Sequence, residues 1–193
     1  MDITFIKTIQ HISTYVPSDE TMLKFFECAE EIHLKPNQVL IGYGDIDPSL
    51  YIVKEGLLQI LYFDGDKEVT FGMASSETIL CSPHCMYLHK PAVMQIENCK
   101  INTTVLKIPQ DKLNSLLDES HDFAKWMFNI ALGQFYYSEH KITNISGQAE
   151  ERYKNLLAIR PDIVNAVSAN RLASYLGVTP SWFYKIRKKI LFK

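Results

Sequence analysis

The chain of 193 residues is 47% hydrophobic and 22% charged, which suits one compact domain or two small ones and excludes wholesale disorder. No apolar run approaches the roughly 18–20 residues that span a bilayer, and no basic-then-apolar leader opens the sequence, so a cytoplasmic protein without membrane contact is expected. The net charge of −2 hides an asymmetry, because residues 169–193 hold six basic residues and no acid while the preceding 168 residues carry −8.

Ile3 to Tyr15 and Asp19 to Glu31 have the spacing of two short amphipathic helices. Ser18 or Asp19 caps the second, and Met22, Leu23, Phe25, Phe26 and Ala29 form its buried face. After Lys35-Pro36-Asn37 the pattern changes to short β-rich runs: Val39 to Ile41, Leu50 to Val53, Leu57 to Phe63, Val69 to Phe71, Val93 to Ile96 and Ile101 to Ile108. Asp64-Gly65-Asp66 and Lys54-Glu55-Gly56 read as tight turns, and many short strands at this spacing predict an antiparallel barrel or jelly roll. Cys28, Cys81, Cys85 and Cys99 are scattered, as buried small apolar residues would be, with no second ligand pair to make Cys81-x3-Cys85 a structural metal site.

Pro109 opens a helical region with a short helix at Asp111 to Leu117 and a long one from Asp122 to about Asn144. The long helix is apolar nearly all round, so one side packs on the barrel and another meets something else. Phe123, Met127, Ile130, Gln134 and Tyr137 follow the four-three spacing of a coiled-coil seam and point to a homodimer. A helix buried within one chain would read similarly. Ile145-Ser146-Gly147 is the expected hinge, followed by a helix from Gln148 to Ile159 that Arg160-Pro161 ends.

The last 25 residues carry the functional signal. Ser168 caps a helix through Arg171 to Leu176, Gly177 supplies a left-handed stop, and Thr179 with Pro180 starts a second helix. Leu172, Ala173, Leu176, Val178, Phe183 and Ile186 fall inward, and the second helix is basic and free of acids. This is the pattern of a helix-turn-helix that binds double-stranded DNA. Ser181, Tyr184 and Lys185 are then the candidate base readers; Arg171, Thr179, Arg187, Lys188 and Lys189 are candidate phosphate contacts. Trp182 either packs on the preceding helix or faces the DNA.

Ala149 to Leu157 (AEERYKNLL), Arg160-Pro161-Asp162-Ile163, Leu172 to Pro180 (LASYLGVTP) and Lys185-Ile186-Arg187 resemble the CRP/FNR family of bacterial transcription regulators, in the short form common in the Bacteroidetes. The resemblance covers essentially the whole chain. It implies an α+β protein with an antiparallel jelly-roll effector domain like the cyclic-nucleotide-binding domains (residues 1–108), connecting and dimerisation helices (109–145) and a DNA-binding domain (146–193) lacking a full wing. It also implies dimeric operator binding, RNA polymerase as a further partner and a small-molecule effector. Family members that bind cyclic nucleotides hold the phosphate with a Gly-Glu pair and an Arg-Ser or Arg-Thr pair. Leu80-Cys81 and Ala92-Val93 stand at those positions, and neither pair supplies the guanidinium fork a buried phosphate needs. Cyclic AMP is therefore not the expected ligand, no cofactor is assigned, and the effector is unknown. The cysteines do not match the N-terminal cluster of iron–sulfur-sensing relatives. Pro180-Ser181 replaces an Arg-Glu pair frequent in the recognition helix, which implies a different operator.

An alternative is a small-molecule-binding protein whose barrel pocket is the working site. The six dispersed histidines, with no nucleophile elbow, phosphate loop or zincin spacing, argue against an enzyme.

Overall fold

The structure, a computed structural model, describes residues 2–99, 101–145 and 148–191. The expected hinge at Ser146-Gly147 lies outside the described residues. Two helices, α1 (Ile3–Gln10) and α2 (Asp19–Glu27), precede a β-rich region. Its strands are β1 (Glu30–Leu34), β2 (Val39–Ile41), β3 (Leu50–Glu55), β4 (Leu57–Asp64), β5 (Lys67–Ser75), β6 (Ile79–Leu80), β7 (Gln95–Asn98) and β8 (Thr103–Ile108), with helix α3 (Pro83–Leu88) between β6 and β7. They form two four-stranded antiparallel sheets of order β1-β8-β3-β6 and β2-β7-β4-β5, the expected jelly roll. Then come α4 (Gln110–Glu119), α5 (His121–Ile145), α6 (Ala149–Ile159), α7 (Pro161–Ala166), α8 (Ala169–Tyr175) and α9 (Pro180–Leu191). None of the described helices is long and apolar enough to cross a membrane.

The first sheet is covered on both faces. Tyr51 and Val53 of β3, with Val105 of β8, point between the sheets, where they pack with Leu34, Leu58, Ala74 and Ile96. Leu50 and Ile52, with Leu106 and Ile108, point the other way, onto α1, α2, α4 and α5. That double burial explains why Leu50 to Val53 is a continuous apolar run rather than an alternating one. The outer layer is rich in aromatics: Phe25 lies 5.2 Å from Phe123 and 5.4 Å from Trp126, ring centre to ring centre.

Several elements differ from the sequence reading. The second helix stops at Glu27, with Cys28 as its C-cap, and Glu30-Glu31 begins β1 instead of continuing the helix. Leu23, expected inside, is exposed. β1, β6, α3 and α7 carry no strong periodicity of their own; β6 is formed only because Ile79 and Leu80 pair with β3. Gly56, between β3 and β4, has φ of +101°, and a Cβ there would lie 2.1 Å from the Thr103 Oγ1. The same Oγ1 accepts the Leu57 N–H at 3.1 Å, so the turn crosses β8 with no room for a side chain.

The N-terminal helices are tied to α5 by Asp122. Its carboxylate accepts the Tyr15 hydroxyl (2.6 Å), the Thr21 hydroxyl (2.7 Å) and the Ser18 N–H (2.8 Å). Burial alone would raise the Asp122 carboxyl, but these hydrogen bonds outweigh it and hold the group well below the ordinary carboxylate range. A depressed folded-state pKa contributes stability that is present above the unfolded value, about 4, and is lost as pH falls towards the folded value. Asp122→Asn should therefore lower stability at pH 7 by about 1–3 kcal/mol, the cost of weakening hydrogen bonds to a charged group. In urea titrations its deficit relative to the parent should shrink below about pH 4.

Candidate nucleic-acid interface

Both ends of α8 and the start of α9 are fixed by local devices. The Ser168 Oγ accepts the Arg171 N–H at 3.4 Å and starts α8. At its end Gly177 has φ of +66°, the Gly177 N–H reaches the Ser174 carbonyl (3.0 Å) and the Val178 N–H the Ala173 carbonyl (2.9 Å). Those two bonds make a Schellman stop, which satisfies carbonyls that the helix end would leave unpaired. Thr179 Oγ1 then accepts the Trp182 N–H at 3.3 Å and starts α9, with Pro180 at its first position.

Leu172, Ala173, Leu176, Phe183 and Ile186 form the core between the two helices as expected, joined by Tyr153 of α6, whose ring meets Phe183 edge-on at 5.0 Å. With Phe183 and Ile186 inward, Ser181, Tyr184, Lys185, Arg187 and Lys188 are all exposed on α9. Trp182 is 52% exposed, with the Lys185 ammonium 6.0 Å above its ring, so it does not fill the space between the helices. The exposed surface of α9 thus joins cations, hydroxyls and two aromatic rings, and the described part of the helix has no acid.

Two of the expected phosphate contacts are engaged elsewhere. Lys189 Nζ lies 2.6 Å from Glu150 Oε2 and ties the end of α9 to α6. Lys189 first, then Lys154, holds the Glu150 carboxyl below its ordinary range. Arg171, read from the sequence as a free phosphate ligand, pairs instead with Glu97 of β7 at 3.2 Å. The reason is that α8 lies against the barrel. Leu57, Met73 and Cys99 of the barrel join the apolar core of the helix-turn-helix, and the Thr70 N–H of β5 donates to the Ser174 Oγ at 2.9 Å. Glu97, Thr70 and Ser174 carry no sequence signal for this role, because the contacts join residues more than 70 positions apart.

The long helix also corrects its reading. Phe123 and Ile130 are buried in this chain's own core, and Met127 packs against it, so these three do not form a seam between chains. Gln134 and Tyr137 are exposed. The apolar stripe that the chain leaves uncovered is Phe128 (63% exposed), Leu132, Phe135 (71%) and Tyr136, rotated around the helix from the expected one. Both stripes fit helical spacing, and only the position of the barrel decides which is covered.

At the effector positions, Leu80 and Ala92 are buried inside the barrel with Cys85, while Cys81 packs towards the helical layer and Val93 is exposed. The Ala92 N–H is taken by the Asp45 carbonyl at 2.7 Å. Burial pushes the Cys81 thiol up to about 11, so it is protonated at neutral pH and behaves as a small apolar group. Cys99 is likewise pushed up to about 11 by burial, and all four cysteines are free thiols.

Residues 31–120 match the cyclic nucleotide-binding domain family. A search of curated protein sequences returns no significant match. Among solved structures, the chain is similar to FixK2 from Bradyrhizobium japonicum (TM-score 0.71, 13% identity, 84% of each chain covered). It is similar to the c-di-GMP-responsive global regulator CLP of Xanthomonas campestris (TM-score 0.71, 16% identity, 90% of this chain and 91% of that one). A third is a CooA mutant from Carboxydothermus hydrogenoformans (TM-score 0.66, 16% identity, 94% and 87%). These likenesses extend over both the barrel and the C-terminal helices and establish a shared fold.

Replacement of Gly177 by Ala forces a side chain into the left-handed region at the Schellman stop. It should cost about 1 kcal/mol in urea unfolding while leaving the helical circular dichroism signal nearly unchanged.

Proposed function

We propose that this chain, which has the architecture of the CRP/FNR regulators, is a dimeric DNA-binding transcription regulator. The observation that carries this reading is α9: a capped helix, free of acids over its described length, whose outward face presents Ser181, Tyr184, Lys185 and Lys188 on a packed helix-turn-helix core. In the major groove the N-terminal turns of such a helix meet base edges. Ser181, Tyr184 and Lys185 are the readers, with Lys185 donating to guanine acceptors. Thr179, Arg187 and Lys188 hold phosphates, which sets register and affinity without sequence information. No catalytic role is assigned.

The uncovered stripe Phe128, Leu132, Phe135 and Tyr136 is the homodimer seam, with Tyr137 and Gln134 at its margin. A symmetric pair of helix-turn-helix units reads two half-sites about one helical turn apart, which is why dimerisation belongs to the function. The barrel, residues 1–108, is an effector domain that lacks the usual phosphate-binding side chains; the packing of Leu80, Cys85 and Ala92 in its interior supports this and disfavours an open nucleotide pocket as the working site. The effector is unassigned, RNA polymerase is a further partner, and the protein works in the cytoplasm.

Selection of duplexes from a genomic fragment pool with the purified protein tests the reading. An enriched two-fold-symmetric site, unchanged by added cyclic AMP, is expected; no enrichment would refute it. Lys188→Ala should weaken binding to all sequences alike and flatten the slope of log affinity against log salt by about one unit. Phe135→Glu should convert the dimer to a monomer in sedimentation, by placing a charge in the seam.

A further inference from the structure

The docking of the helix-turn-helix on the barrel does more than fill space. β5 is an edge strand of the second sheet, and α8 covers that edge, with the Thr70 N–H satisfied by the Ser174 hydroxyl at 2.9 Å. One helical turn back on α8, Arg171 Nη2 lies 3.2 Å from Glu97 Oε1. Glu97 is itself held in place: its other oxygen accepts the Gln95 amide at 2.7 Å, and Oε1 also accepts the amide of the buried Gln59. A third polar link joins Arg160 to Ser75. The contact therefore has an apolar centre, at Leu57, Met73 and Cys99, and a polar rim that includes the ion pair of Glu97 with Arg171.

We propose that the Glu97–Arg171 pair is an autoinhibitory latch. It holds the DNA-binding unit against the barrel and withholds from DNA a cation that the nucleic-acid-binding segment carries. This rests on the DNA-binding reading above. A guanidinium fork binds carboxylate and phosphate by the same geometry, so one Arg171 serves either Glu97 or a DNA phosphate, and the two anions compete for it. Both side chains are largely out of water, Glu97 at 12% and Arg171 at 26% exposed, so their attraction is offset in large part by lost hydration. Exchanging one anion for another then has a small net cost, which is the condition for a reversible latch. Opening it also frees the Thr70 N–H, a backbone amide on the sheet edge, and gives the latch a readout independent of affinity.

The test uses the full chain and a duplex selected from a random pool, with affinity measured against salt for the parent, Glu97→Gln, Arg171→Ala and the double variant. Glutamine keeps the shape of Glu97 and removes its charge. Glu97→Gln should bind about three- to tenfold more tightly, with a salt slope steeper by about one unit per protomer. Arg171→Ala and the double variant should behave alike and show no gain. Thr70 amide exchange should be faster in Glu97→Gln than in the parent, and faster in the parent once duplex is added. Ser174→Ala, which removes the Thr70 acceptor and leaves Glu97 intact, should shift affinity in the same direction by a smaller factor. A selected duplex that Glu97→Gln binds no better than the parent, or a Thr70 amide equally protected with and without duplex, overturns the latch and leaves the DNA-binding reading standing. If neither the parent nor Glu97→Gln selects any duplex, the DNA-binding reading falls and the latch falls with it.

Discussion

The structure depends on the burial of one sheet from both sides. Because Leu50 and Ile52 must be covered as well as Tyr51 and Val53, the barrel requires an outer layer, and α1, α2, α4 and the first half of α5 supply it. That requirement fixes α5 against the barrel through Phe123, Trp126 and Ile130, and residues 132–139 lie beyond the core that anchors it. The aromatic residues of this second half have no place in the core of their own chain. A buried stretch and an exposed stretch in one 25-residue helix are consequences of the same packing.

How much of this could be read in advance varies with the range of the interactions. The helix-turn-helix was legible almost residue by residue, since Ser168, Gly177, Thr179 and Pro180 act within a few positions of themselves and Phe183 and Ile186 lie a helical turn apart. The longer strands were legible from β-rich runs, and the Asp64-Gly65-Asp66 turn appears as the tight connection between β4 and β5, with Asp64 opposite Lys67. β1 was not, because Glu-Glu-Ile-His-Leu offers acids that suit a helix as well as an edge strand and becomes a strand by pairing with β8. On α5 the apolar stripe that the chain leaves exposed lies a fraction of a turn from the expected one, because a helix that is apolar on most sides has two stripes of equal periodicity. The contact that Arg171 makes with Glu97 was not legible, for a different reason. The partners are 74 residues apart, and local charge gave no hint of it.

The effector positions are informative in the same physical sense. A cation fork placed in the barrel would need a bound anion to justify its burial. Leu80, Cys85 and Ala92 make no such demand, since their packing with Val53, Leu58 and Val105 is satisfied by the chain alone. The contact of β4, β5 and β7 with α8 joins the barrel directly to the C-terminal helices, and it does not pass along α5.

The placement of the two tryptophans has a spectroscopic consequence. Trp126 is fully buried among Phe25 and Phe123, whereas Trp182 stands half-exposed on α9. Their indoles therefore emit from different dielectric surroundings, one dry and one wet. Loss of the core shifts the first to longer wavelength, and anything that approaches α9 alters the second. The native sequence thus contains an internal pair of fluorophores that separates integrity of the body from events at α9, without a label.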